Sequence, residues 1–266
     1  MKKLYLILSF LFSISFSYGQ ITYVNSAASG ANDGSSWENA FTDIQSALDK
    51  FNGTQVFSEE AIWIASGSYK PGGMTPDTSS SFLIDAEVDL YGGFAGTESD
   101  ISERDIAQNE TILSGDFLGN DGSELDSILR VENARHVIFI NPTLNDVITI
   151  DGFTIEGGNT SLDGDHEFLN RAGGGILSGS PINISNCTFK NNLGRSGASV
   201  AIDGRGSVNA ALLFEIKDCV FSDNEATEQA AGVVVYEMQN FSVTGCTFEN
   251  KQNNRGCLYP SRCGSV

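Results

Sequence analysis

The chain has 266 residues, of which 40% are hydrophobic, with 29 glycines and 5 prolines. That length suffices for one elongated domain with its own core, and the glycines suit many tight turns. Fifteen basic residues against 34 acidic ones give a formal charge of −19, which repels nucleic acid and excludes that class of partner.

Residues 1–19 have the form of an export signal. Lys2 and Lys3 form a positive start, Leu4 to Phe16 is apolar with a few serines, and Ser17-Tyr18-Gly19 places small residues where a signal peptidase reads. The apolar run is short for a membrane span. Cleavage after Gly19 would leave 13 basic residues against 34 acids, a charge of −21. The mature chain then has no stretch apolar enough for a transmembrane helix, and the expected location is secreted or at the cell surface.

Residues 20–250 read as one domain. Ile21 to Asn25 predicts a first strand, followed by a Gly/Asn/Asp loop over Ala28 to Ser35. Ser36 is an N-cap candidate for a helix over residues 36–51, whose stripe Ala40, Phe41, Ile44, Ala47, Leu48 and Phe51 lies on one face. Such a helix would cover the open first coil of a stack and block edge pairing. Ala61 to Ala65, Ser81 to Tyr91 and Thr111 to Ser114 predict strands, with a turn-rich bend at Gly92-Gly93-Phe94-Ala95-Gly96. Ser127 to Val131 and His136 to Ile140 continue the strand pattern.

From Ile150 the chain repeats itself. Ile150-Asp151-Gly152-Phe153-Thr154-Ile155 is followed by Ile184-Ser185-Asn186-Cys187-Thr188-Phe189, Ile216-Lys217-Asp218-Cys219-Val220-Phe221 and Val243-Thr244-Gly245-Cys246-Thr247-Phe248, at offsets of 34, 32 and 27 residues. A period in this range means stacked units that cannot bury their apolar side alone. Each copy reads as a short strand. Stacked in parallel about 4.8 Å apart, the copies put Phe153, Cys187, Cys219 and Cys246 in one column and Ile155, Phe189, Phe221 and Phe248 in the next. Breakers follow each copy: Gly157-Gly158-Asn159, Asn191-Asn192, Asp223-Asn224 and Asn250. Asn tolerates left-handed turns and stacks as a hydrogen-bonded ladder. Between copies lie Gly173-Gly174-Gly175-Ile176, Gly197-Ala198-Ser199-Val200 and Ala231-Gly232-Val233-Val234, small residues leading into apolar strands. The fold class that follows is all-β, a parallel β-helix with an N-terminal amphipathic capping helix. Residues 251–266 lose the alternation and read as an irregular tail, as if a longer chain were truncated or frame-shifted.

A family resemblance rests on several of these segments. Tyr23-Val24-Asn25, Asn32-Asp33-Gly34-Ser35-Ser36-Trp37, Ile62 to Pro71, Leu90 to Gly96 and Ile112-Leu113-Ser114-Gly115-Asp116 resemble the start of secreted bacterial right-handed β-helix proteins. Many of those are similar to the chlamydial polymorphic outer-membrane proteins, with a Gly-Gly-Ala-Ile and a Phe-x-x-Asn element. Gly173-Gly174-Gly175-Ile176 resembles the first, and Phe189…Asn192 and Phe221…Asn224 match the second. Phe248 departs, with Asn250 one place early. The resemblance implies that the parallel β-helix is right-handed, and that the protein is surface-exposed or secreted and often adhesive.

The sequence offers four places for chemistry. Asp116, Asn120, Asp121, Glu124 and Asp126 are oxygen ligands in one loop that could hold Ca²⁺, although the spacing is not that of an EF-hand and a plain acidic loop is the simpler reading. Asp163-Gly164-Asp165-His166-Glu167 sets acids beside a His, yet neighbours in sequence rarely converge on one substrate atom; His136, the other His, reads as structural. Arg171, Lys190, Arg195, Arg205 and Lys217 are the bases that a polysaccharide lyase of pectate-lyase-like fold would draw on, but they share no repeat position. The cysteine column has no CxxC or nearby His to suggest a metal, and a thiol there acts as a small hydrophobe; Cys257 and Cys263 lie outside the pattern and could pair in an oxidising compartment. No catalytic, cofactor-binding or metal-ligating residue is assigned on this basis. The favoured function is a non-catalytic, structural or adhesive surface module that meets an extracellular glycan or protein, with a carbohydrate-active lyase or hydrolase as the alternative.

Overall fold

Strands of two to six residues alternate with sharp corners, and every strand pairs in parallel with one a full coil away. A computed structural model describes residues 21–52, 60–72, 77–122, 127–141, 143–144, 146–161, 171–206, 212–238, 240–249 and 258–261. Its three long sheets are the three walls of a parallel β-helix. The first wall stacks Ile21–Val24, Ala61–Ala65, Asp89–Phe94, Ile148–Asp151, Ile182–Ser185, Phe214–Lys217 and Phe241–Thr244. The second runs from Gly67–Tyr69 through Thr111–Ser114, Thr154–Glu156, Thr188–Lys190 and Val220–Ser222 to Thr247–Glu249. The third begins at Phe82–Ile84 and rises through Ile138–Ile140, Ile176–Ser178, Val200–Asp203 and Val233–Tyr236 to Leu258–Ser261.

The register puts like on like. Ile150, Ile184, Ile216 and Val243 are successive partners on the first wall. On the second, Tyr69, Leu113, Ile155, Phe189, Phe221 and Phe248 form one inward column. Its rings lie flat on each other, 5.0 Å apart for Phe189–Phe221 and 4.6 Å for Phe221–Phe248, the separation that the strand spacing dictates. These columns belong to one continuous core, which also takes in Cys187 and Cys219.

Each repeat copy is a corner rather than the single strand expected from the sequence. Ile182–Ser185 ends the first wall and Thr188–Lys190 starts the second. Gly152, Asn186, Asp218 and Gly245, at one position in all four copies, have φ of 84°, 52°, 51° and 65°. That left-handed residue is why Gly, Asn and Asp occupy the place. It also breaks strict alternation, so Ile184 and Cys187 both face inward although three residues apart.

The breakers after the first three copies form the second corner, with Asn191 and Asp223 left-handed at φ of 55° and 54°. Beside them the expected ladder is present. The Asn192 side chain donates to the Ile155 carbonyl and accepts from the Gly158 N–H, both at 3.0 Å. Asn224 repeats this one coil up, donating to Phe189 O at 2.9 Å and accepting from the Asn192 N–H at 3.0 Å. Both amides are buried, so each satisfies backbone groups that a corner inside the core would leave unpaired. Gly158 is required by close approach, because a Cβ there would collide with the Gly174 carbonyl.

Five further expectations need correction. The helix spans only Ile44–Asp49, capped by Asp43, whose carboxylate accepts the Ser46 N–H at 2.8 Å. It starts late because Phe41 bridges Val24 as a strand residue, exchanging backbone hydrogen bonds with Tyr23 and Asn25. The helix still guards an edge: Gln45 and Asn52 side-chain oxygens accept the N–H groups of Leu83 and Asp85 at the first strand of the third wall. The stretch Ser81 to Tyr91 is two strands, split by a turn in which the Val88 N–H meets Ala86 O. Gly92, Gly93 and Phe94 continue the second of them through a register shift opposite Trp63 and Ala65, instead of forming a bend. Ser127–Arg130 is a 3-10 turn, because Arg130 is drawn inside to donate to Asn191 O at 2.7 Å. Within the tail, Leu258–Ser261 pairs with Val233–Tyr236; parallel pairing is a backbone property that side-chain alternation does not report.

Candidate functional site

A groove of ≈ 440 Å³ opens at the corner between the first and second walls. Gly152, Phe153 and Thr154 of one coil form its floor with Asn186, Cys187 and Thr188 of the next and Asp218 and Val220 of a third, while Ile106, Glu110 and Thr111 close one side. Its polar groups are carboxylates, hydroxyls and an amide, and none of the lining residues is basic. The Glu110 carboxylate accepts the Thr154 hydroxyl at 2.8 Å, and the Lys190 ammonium stands 3.8 Å from it and 3.4 Å from Glu156. Beside the groove, Asp151 gathers Arg104, the Ser185 hydroxyl and the Asn186 amide, the last at 2.7 Å.

The thiols under this corner are structural. Cys187 and Cys219 are 1% exposed, and each S–H points to a carbonyl of its own strand end, Ser185 O and Lys217 O, at 3.2 Å. The hydrogen bond with Cys187 and then burial push the Cys219 thiol well above its ordinary value, so the sulfur stays protonated and inert. Cys246, in the last described coil of the column, is half-buried. Cys257 and Cys263 lie outside the described residues.

The five basic residues do not gather at one place, although two of them share a partner. Arg171 and Arg195 both meet Glu228, the latter at 3.0 Å. Arg205 grips Asp203 with two nitrogens at 2.9 and 2.7 Å, and Lys190 is shared by Glu110 and Glu156. Lys217 is exposed at the end of its strand on the first wall. His136 has Nδ1 3.0 Å from Gly173 O. Residues Asp163 to Glu167, Glu124 and Asp126 fall outside the described residues.

The acidic loop is more built than the sequence suggested, and with a different membership. Asp116, Asp121 and Glu132 bring one carboxylate oxygen each within 4.8 Å of one another. Asn120 is exposed, and only its backbone N–H reaches Asp116, at 3.3 Å. Glu132 and the buried Asn133 arrive instead, carried back by the 3-10 turn; a local reading of residues 116–126 had no signal for them. Asp116 also orders the loop by accepting the N–H groups of Gly119 at 2.6 Å and Asp121 at 3.1 Å. Arg130 is 3.1 Å from Asp121. Burial raises the Asp121 carboxyl above its usual range, opposed by the Asn133 hydrogen bond and Arg130 and reinforced by Asp116 and Glu132.

The family model for the right-handed beta helix region matches residues 115–264, more than half of the chain. The protein belongs to the right-handed β-helix family. A search of curated proteins and a search of solved structures returned no match. Membership fixes the coil and its hand and leaves the chemistry open, since β-helices include scaffolds and pectate-lyase-like enzymes alike. Among the described residues of this β-helix, no helix is long and apolar enough to cross a membrane.

Proposed function

We propose that this β-helix is a non-catalytic scaffold, exported and displayed at or beyond the cell surface, that meets an extracellular glycan or protein through its loops and outer faces. One observation carries this reading. Four of the five basic residues that a lyase would need as bases or substrate clamps are already engaged by carboxylates, through three distinct sets of partners. A polyanionic substrate would have to break those pairs and approach an acidic chain. The residues 1–19 supply the expectation of export.

The test is a turnover assay on acidic and neutral polysaccharides, read by reducing ends and by unsaturated uronates, beside a retention assay on the same immobilised glycans and on matrix proteins. Retention without turnover is expected. Release of product from any polymer, abolished by Glu110→Gln or Asp218→Asn, would replace this reading with a hydrolase acting on a neutral glycan. That second reading rests on the groove, which presents those two carboxylates and no basic side chain.

A further inference from the structure

The acidic loop holds more unsatisfied oxygen than a plain loop should. Asp121 Oδ1, Glu132 Oε1 and Asn133 Oδ1 are buried and accept no hydrogen bond. Asn133 is 1% exposed, and its amide orientation is fixed by its other atom: Nδ2 donates to Asp121 Oδ2 at 2.9 Å and to Gly157 O at 2.7 Å, both acceptors. Flipping the amide would set oxygen against oxygen, so Oδ1 is the orphan. Nδ2 and Oδ1 share one carbon, roughly 2.2 Å apart by amide geometry, which holds Oδ1 within about 5 Å of the Asp121 carboxylate. A buried acceptor left unpaired costs about 1–3 kcal/mol, and more when charged, so three together need a common partner.

Charge says what the partner is. Asp116, Asp121 and Glu132 contribute three negative charges, and Arg130, 1% exposed and on Asp121 Oδ2, returns one. The remainder is −2. The nearby Lys70 is exposed and donates to the Phe117 carbonyl. Water could satisfy the orphan oxygens, and the orphan Nε and Nη2 of Arg130 with them, but water leaves that charge uncompensated on one buried and two partly buried carboxylates. A divalent cation removes it. The three carboxylate oxygens lie within 4.8 Å of one another, close enough to share one ion. All the donors are hard oxygens, with no sulfur or imidazole, which selects Ca²⁺ over zinc and copper.

We propose that Asp116, Asp121, Glu132 and Asn133 form a Ca²⁺ site that ties the loop after the Thr111–Ser114 strand to the segment following the 3-10 turn. The ion would bridge the pair Asp116 and Asp121 to the pair Glu132 and Asn133, which starts 11 positions further on. Ca²⁺ binding would thus fasten this corner of the coil to the Gly157 corner one coil above, through Asn133.

The test is calorimetric titration of Ca²⁺ alone into the full chain after chelator treatment, with thermal unfolding followed by circular dichroism. One saturable site is expected, with a Tm that climbs as Ca²⁺ rises. Glu132→Gln, isosteric and one charge less, should weaken binding by about tenfold or more, while Glu249→Gln, on the last coil, should leave it unchanged. Asn133→Ser gives a second, uncharged probe of the same site. Absence of saturable heat and of any Tm shift overturns the proposal. So does Ca²⁺ binding that survives Glu132→Gln and Asn133→Ser at wild-type affinity, which would be diffuse attraction to an acidic surface.

Discussion

The coils from Ile148 to Glu249 and those from Ile21 to Asn141 share three walls but are fastened differently. In the later coils the same side chain recurs at the same height: Phe on Phe, Cys beside Cys, Asn under Asn. In the earlier ones the inward column reads Tyr69 then Leu113, and cohesion comes from contacts that occur once. Trp37 lies against Tyr23 at 4.8 Å and gives its Nε1–H to Glu98 O at 2.9 Å. Trp63 stacks on Phe94 at 4.7 Å, and Arg104 reaches from a loop to Asp151. A repeating ladder spreads its stabilisation evenly over nearest neighbours. Single contacts concentrate it, so the early coils should fail at particular residues and the late coils as a unit.

The largest test of that contrast is Phe221→Ala. Phe221 is fully buried between two parallel rings, and truncation should cost about 3–5 kcal/mol. Both tryptophans, Trp37 and Trp63, lie in the early coils. Tryptophan fluorescence therefore reports that region, and circular dichroism the whole sheet. The dichroism midpoint in urea should fall further than the fluorescence midpoint. Equal shifts would mean that the solenoid unfolds as a single cooperative block and that the contrast has no energetic content.

Next comes Asn224→Ala, which leaves Phe189 O without its donor and the Asn192 N–H without its acceptor. Two buried backbone groups unpaired should cost roughly 2–4 kcal/mol. Asn224→Asp is the sharper companion. It keeps the acceptor for Asn192 but loses the donor to Phe189 O, so its loss at neutral pH should exceed that of a surface Asn→Asp change. Unfolding midpoints of the pair read the two halves of the ladder separately.

The same contrast explains what could be read from the residues. The Ile, Cys, Phe and Asn columns were legible because stacking makes identity recur at a near-fixed interval, and the interval survives in the sequence. The second-wall column was legible only from Ile155 onward; Tyr69 and Leu113 occupy it without resembling their successors. The corner at Gly152, Asn186, Asp218 and Gly245 was visible as residues but not as a turn, because one left-handed residue between two strands looks like a polar position within one. Of the acidic cluster, Asp116 and Asp121 were legible by local density. Glu132 and Asn133 were not, since they reach the site by a chain reversal that puts Arg130 in the interior. The helix was overextended because Phe41 fits an apolar stripe as well as it fits the bridge to Val24 that it makes.

The smallest expected effect probes the early coils by pH. Burial alone would raise the Glu98 carboxyl, but the N–H groups of Ala95, Thr97 and Gly96 all donate to it and outweigh burial, holding it below the ordinary value. A carboxyl whose folded pKa is depressed stabilises the fold at pH above its unfolded value of about 4.3, and that contribution disappears as pH falls through the folded value. Glu98→Gln keeps the shape of the side chain and removes the titration. The wild type should lead the variant by about 1 kcal/mol near neutrality, and the two should converge in acid. Because Glu98 O also receives the Trp37 indole, the difference should be larger by fluorescence than by circular dichroism. A gap independent of pH would show that shape rather than charge holds this turn, and equal gaps by both probes would show that even a contact made once is shared along the whole coil.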